Sequence, residues 1–211
     1  MVRDTLSARI APRAALAALV AAIRARGGEV ATGEVGADES GPGPGPVVWA
    51  TGVAGLAELS RATGREAGGG VKGQALLLRH AAVEAAQLFV DGLHIVPHAD
   101  GTVAVGSTSE RDWDDPAATD ARLDALLVRA VAACPALAGA PVIDRWAGLR
   151  PRARSRAPML GEWPGRAGQF IANGGFKIGF GMAPKVAEVM ADLVLEGRDA
   201  IPPAFRVEAS L

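Results

Sequence analysis

The segment NGGFKIGFGMAPKVAEVMADLVLEG, Asn173 to Gly197, changes character halfway along and so limits what the chain can build around it. Its first part threads four glycines among Phe176, Lys177, Ile178 and Phe180. Its second part carries Val186, Val189, Met190, Leu193 and Val194 at helical spacing, the apolar stripe of an amphipathic helix. Gly197 supplies a stop, and Pro184 suits a first helical turn, where a missing N–H is harmless. A side-chain-poor bend running into a helix start exposes backbone N–H groups beside the positive helix end. A polar or anionic ligand group can sit there.

The rest of the chain reads as two kinds of structure. Pro12 to Arg26 predicts a helix with Leu16, Leu19, Val20 and Ile23 as its inner stripe and Gly27–Gly28 past its end. A short strand is expected over Glu29 to Thr32. The tract ADESGPGPGP that follows is a surface connection, because it can form neither helix nor central strand. PVVWATG reads as a buried parallel strand stopping at a ligand-facing turn, followed by a helix over Val53 to Ser60. From Gly68 onward, strand-sized runs punctuated by DG, HADG and GS give an antiparallel pattern. A helix is expected to start at Asp115–Pro116, with Leu123, Leu126, Leu127, Ala130 and Val131 on one face and Pro135 and Gly139 as its end. PVIDRWAGLRPRARSRAPMLGEWPG begins strand-like and becomes loop. This order predicts an α/β (α+β) chain, with an α/β part made from both ends and an antiparallel β-rich part inserted between them.

Composition removes several function classes. The 22 Lys and Arg against 23 Asp and Glu leave no basic excess for nucleic acid. No apolar run reaches membrane-spanning length. MVRDTLSARI has no hydrophobic leader core, so a cytoplasmic location is expected. Cys134, the single cysteine, sits among apolar neighbours as a buried, inert thiol. His80, His94 and His98 lack the partners a metal site needs, and neither a G-x-S-x-G elbow nor a complete G-x-G-x-x-G is present. What remains is a cationic, glycine-lined region. Arg150 of RWAGLRP either holds a carboxylate through two parallel hydrogen bonds or is one more surface arginine beside Arg152, Arg154 and Arg156. Lys177 is either a second cation or a solvated side chain.

RWAGLRP, APMLG and FIANGGFKIGFGMAPKVAEVMADLVL together resemble the C-terminal signature of the flavin-dependent D-amino-acid oxidase and glycine oxidase family. The resemblance extends through LHIVPHADGTVAVGSTSERDW, GGGVKGQ and VVWATG back to SARIAPRAALAALVAAIRARGGE. It implies a flavin-binding α/β domain from residues 1–67 and 148–211 and a β-rich substrate domain over 68–147. It also implies FAD as cofactor, oxidation of an amine or amino acid by hydride transfer from the α-carbon, an imine product and oxygen as acceptor. By the same resemblance, Arg150 holds the substrate carboxylate, Lys177 supplies a second basic group, and His94 stands where relatives carry a pocket tyrosine. Thr51, Gly52, Gly148 and Gly174, Gly175, Phe176, Lys177, Ile178 and Gly179 lie against the cofactor. No side chain is assigned an acid–base role.

The family's opening strand, G-x-G-x-x-G turn and helix are missing from the sequence, so the chain is expected to be the C-terminal portion of such an oxidase. It would be completed by a missing N-terminal FAD-binding segment or chain, and alone it would bind FAD poorly. The alternative is a non-catalytic relic or subunit that pairs with another chain. A small-molecule substrate is the expected partner, with no nucleic acid and no membrane.

Overall fold

The computed structural model describes residues 8–35 and 45–211. Most of the ADESGPGPGP tract lies outside the described residues. The chain divides into two compact units, each discontinuous in sequence.

The first unit comprises Met1–Glu34, Gly73–Ser109 and Ala117–Ala147. It contains α1 (Pro12–Ala25), β3 (Leu88–Val90), β4 (Leu93–Pro97), β5 (Thr102–Gly106) and α3 (Ala121–Ala133), with parts of β2 (Gly68–Arg79) and β6 (Val142–Ala153). The strands form one sheet in the order β3-β4-β5-β2-β6, and the β3–β4, β4–β5 and β2–β5 pairs are antiparallel. Its core alternates along the strands: Leu76 and Leu78, Leu93 and Ile95, and Val103 and Val105 point to one face. There they meet Leu123, Leu126 and Ala130 of α3. A period of two on the sheet and a period of 3.6 on the helix thus converge on one apolar layer.

Helix α3 starts later than Asp115–Pro116. Asp120 is its N-cap, accepting from the Arg122 amide at 2.9 Å. Asp120 is itself pinned by buried Gln74, whose Oε1 accepts from the Asp120 amide at 2.8 Å while its Nε2 donates to Asp120 Oδ1 at 2.9 Å. A side chain that satisfies an orphan amide fixes where the helix begins, and Asp115 is left in a loop. Helix α1 forms where expected, yet Leu16 (55% exposed), Leu19 (57%) and Ile23 (46%) are not an inner stripe. Periodicity identifies an apolar face without supplying a partner for it. The expected strand over Glu29 to Thr32 is absent, and these residues are exposed and irregular. Cys134 is half-buried against the core.

The second unit comprises Val35–Lys72, Glu110–Pro116 and Gly148–Leu211. It holds β1 (Val47–Trp49), α2 (Gly52–Thr63), β7 (Met159–Glu162), β8 (Gln169–Asn173) and α4 (Gly179–Glu196). The three-stranded sheet runs β1-β8-β7, with β1 parallel and β7 antiparallel to β8. Adjacent residues of a strand face opposite ways, and both faces are used here. Met159 and Ile171 join Leu56 and Leu59 of α2, while Leu160 and Phe170 join Val189 and Met190 of α4. Strand β1 is parallel as expected but buried on one face only: Val47 and Trp49 join the α2 layer, while Val48 is 43% exposed.

Helix α4 starts at Gly179, so Pro184 lies inside it rather than in its first turn. Having no N–H, Pro184 leaves the Phe180 carbonyl without its helical donor. The amide of Met182 already donates to the Ile178 carbonyl at 3.0 Å, which sets the helix start five residues before the proline. Gly197, at φ 67°, ends the helix as expected. Among the described residues no helix is long and apolar enough to cross a membrane.

Candidate functional site

Three pieces of the second unit meet at the carboxyl ends of β1 and β8. Trp49 ends β1, Thr51 caps α2, and Gly52 takes φ 61°. From β8, Asn173 Nδ2 donates to the Gly52 carbonyl at 2.8 Å, and Asn173 Oδ1 accepts from the Gly174 amide at 2.7 Å. Gly55 has no room for a side chain: a Cβ there would sit 2.2 Å from Thr51 Oγ1 and 2.9 Å from Asn173 Nδ2. The backbone of α2 at Gly55 therefore packs directly against the side chains of Thr51 and Asn173.

The glycine bend is latched to the end of β6. The Phe176 amide donates to the Pro151 carbonyl at 3.0 Å, and Gly175 bridges Arg152. Gly174, at φ 71°, lies so close to β6 that a Cβ would come within 2.7 Å of the Ala153 Cβ. Beyond this latch, the amides of Lys177, Gly179, Phe180 and Gly181 have no acceptor among the described residues. They surround the positive end of an 18-residue helix, where an electronegative group is stabilised. Ile178 (53% exposed) and Phe180 (46%) stand beside them as uncovered apolar surface. A Cβ at Gly52, Gly148 or Gly179 would meet nothing within 4 Å, so internal packing alone does not account for those glycines.

Arg150 precedes the latching Pro151 on the same strand, so the bend and this arginine belong to one piece of structure. Its guanidinium is half-buried, and burial lowers its pKa from the ordinary arginine value while the charge of Glu110 raises it. Glu110 (8% exposed) and Lys72 (3%) form a buried pair, Nζ to Oε2 4.0 Å, and exchange two backbone hydrogen bonds. Lys72 Nζ also donates to the Asp115 carbonyl at 2.8 Å. Lys177 is exposed, with its Nζ 5.6 Å from the centre of the Phe176 ring; Arg152 lies 5.9 Å from the same ring. His94 belongs to the first unit, exposed on β4 and stacked at 4.6 Å on Phe89. The second unit thus holds Thr51, Gly52, Gly148, Arg150 and the whole bend, but not His94.

Comparison with known proteins identifies the family. The family model described as "DAO: FAD dependent oxidoreductase" matches residues 2–193. The chain belongs to this family of FAD-dependent oxidoreductases. It is similar to glycine oxidase of Pseudomonas putida, with 34% identity over 135 residues covering 64% of this chain and 37% of that protein. Among solved structures, glycine oxidase from Geobacillus kaustophilus matches with a TM-score of 0.67 at 29% identity, over 77% of this chain and 45% of that one. Iminodiacetate oxidase from Chelativorans sp. BNC1 shares the fold, with a TM-score of 0.71 at 23% identity over 82% and 48% of the two chains. The chain therefore spans about 37% of the curated relative and less than half of the solved chains.

The residues present fit the polar edge and apolar face of a flavin ring. Unpaired amides at a helix start lie beside exposed Ile178 and Phe180, with open space next to Gly148 and Gly179. Sequence reasoning missed Gly55, Asn173, Lys72 and Glu110 as contributors. VKGQ carries the only sequence signal for Lys72. Glu110 carries none, because its pairing with Lys72 exists only after β2 meets the segment beyond β5.

Proposed function

We propose that this chain supplies the substrate-anchoring and ring-facing parts of an FAD-dependent oxidase acting on a small amine or amino acid. The observation that carries the reading is the latch between Phe176 and Pro151, which ties the open amides of the bend to the strand bearing Arg150. The names of the relatives, glycine oxidase and iminodiacetate oxidase, support a small amino-acid substrate.

In this reading Arg150 grips the substrate carboxylate through two parallel hydrogen bonds, which a planar guanidinium makes better than an ammonium. Lys177 adds a second positive charge at the mouth of the site. FAD, when bound, supplies the hydride acceptor, with oxygen as the proposed final oxidant. The amides of Lys177, Gly179, Phe180 and Gly181 stabilise negative charge at the ring's polar edge, and they need no reorganisation because the helix holds them in place. With the amine in its neutral form no side chain removes a proton, so the chain contributes orientation and electrostatics. A cytoplasmic location is part of the proposal.

The test uses a protein completed with its dinucleotide-binding part. Arg150→Ala should raise KM for an amino-acid substrate at least tenfold, as the loss of a charge-assisted pair predicts. An amine without a carboxylate should be oxidised unchanged. Equal KM values for wild type and variant on the amino acid would remove Arg150 from this role. A second reading, a chain that pairs with another and does not bind flavin alone, is favoured by the exposed Ile178 and Phe180. Visible flavin absorbance in the purified 211-residue chain would exclude it.

A further inference from the structure

Among the described residues Glu110 is the one buried carboxylate, at 8% exposed. A charge taken out of water persists only where partners satisfy it. Lys72 meets that need in part. Its Nζ stands 4.0 Å from Glu110 Oε2, beyond hydrogen-bond length, and donates instead to the Asp115 carbonyl at 2.8 Å. The Glu110 carboxylate therefore keeps acceptor capacity for a second cation. Both Glu110 and Arg150 are engaged within the fold rather than free.

Strand β2 is where these charges converge. On one edge it carries Lys72, whose backbone exchanges hydrogen bonds of 3.0 and 2.9 Å with Glu110. Its other edge meets β6. There a Cβ at Gly70 would come 3.3 Å from the Leu149 Cβ, one residue before Arg150. Gly70 thus brings the strand of Arg150 against the strand that holds Glu110, all within the second unit. Burial lowers the Arg150 pKa and the Glu110 charge opposes that effect, so the carboxylate acts on the guanidinium through space. Charge balance asks for the same arrangement, because Lys72 and Arg150 on neighbouring strands repel each other unless they share an anion. A guanidinium carries N–H donors on more than one edge of a rigid fork. One edge can be held by a protein carboxylate while another faces a ligand.

We propose that Glu110 is the positioning residue of Arg150: its carboxylate, propped by Lys72, holds one edge of the guanidinium and turns another toward the substrate carboxylate. The inference rests on the reading of Arg150 as substrate anchor and adds the group that aims the anchor. One readout needs no cofactor. In the 211-residue chain, the NMR signal of the Arg150 Nε–Hε group, assigned by its loss in Arg150→Lys, should be protected from exchange with water. Glu110→Gln should abolish that protection, and Glu110→Asp, which keeps the charge but shortens its reach, should weaken it.

The other readout is kinetic, in the protein completed with its dinucleotide-binding part. Glu110→Gln should raise KM for an amino-acid substrate about tenfold while kcat changes less than about twofold. Added to Arg150→Ala, it should raise KM no further, since no guanidinium is left to aim. A residue that merely supports the fold would add its own loss. Circular dichroism checks folding. If Glu110→Gln does not fold, Glu110→Asp decides, with an expected KM rise of about threefold. An unprotected Arg150 signal in the wild type, an unchanged or lowered KM in the folded Glu110 variants, or additive losses would overturn the inference. Should Arg150→Ala itself leave KM unchanged, the anchor reading falls and this inference with it. Should only the Glu110 variants leave it unchanged, Arg150 stays the anchor and this inference alone fails.

Discussion

Asn173 Nδ2 donates to the carbonyl of Gly52 at 2.8 Å, joining residues 121 positions apart in the chain. The same side chain accepts from the Gly174 amide, so one carboxamide fixes both the start of α2 and the entry to the glycine bend. Asn173→Ala removes both bonds and leaves two part-buried backbone groups unsatisfied. A loss of about 1–3 kcal/mol is expected from chemical denaturation. Asn173→Asp keeps the acceptor but loses the donor, and should retain the Gly174 bond alone. Wild-type stability in Asn173→Ala would show that the clamp is incidental.

The Lys72–Glu110 pair should behave as a buried ion pair. Glu110→Gln leaves the Lys72 ammonium, 3% exposed, without its carboxylate, and removes the negative charge that acts on Arg150. Removing one partner of such a pair costs about 3–5 kcal/mol, and the 4.0 Å separation points to the lower end. Combining Lys72→Met with Glu110→Leu should cost less than the sum of the single changes. Additive losses in that double-mutant cycle would mean the two charges do not interact.

Two glycines of the same bend should respond in opposite ways. Gly174→Ala forces a side chain into φ 71° and against Ala153, so stability should fall by more than about 1 kcal/mol. Gly179→Ala meets open space at the first residue of α4 and should stay within about 0.5 kcal/mol of wild type. Thermal unfolding of both variants checks this. A destabilised Gly179→Ala would place protein, rather than open space, next to that residue.

Asp199 gives a defined pH response. Its Oδ2 accepts from Arg206 Nη1 at 2.7 Å and its Oδ1 from the Ile201 amide at 3.0 Å. The Arg206 bond, then the Ile201 bond, hold its pKa below the ordinary 3.8. A depressed folded pKa contributes stability that is complete above the unfolded value and disappears as pH falls through the folded one. The contribution should thus be constant from neutrality down to about pH 4 and shrink below it. Asp199→Asn should remove this acid-side slope, and an NMR titration of Asp199 at or above 3.8 would contradict the assignment.

Several elements were legible in the sequence because their signals are local. The stripe of α4 with its Gly197 stop, the turn-punctuated strands β3, β4 and β5, and the apolar VVW run each follow from the geometry of neighbouring residues. The same local reading misplaced the start of α4, since Pro184 signals a first turn on its own while the Ile178 carbonyl and the Met182 amide begin the helix earlier. It gave α1 an inner stripe because spacing reveals a face but not whether anything covers it.

By itself the sequence determined the periods, the stops and the glycine-rich bend, because these depend on bond geometry and side-chain shape over a few residues. Only the tertiary structure decided that Asn173 clamps Gly52, that Lys72 meets Glu110, and that Phe176 hooks onto the carbonyl after Arg150. Those contacts join segments distant in the chain, and they become favourable only once strand pairing has closed the intervening loops. No pattern within one short segment encodes them.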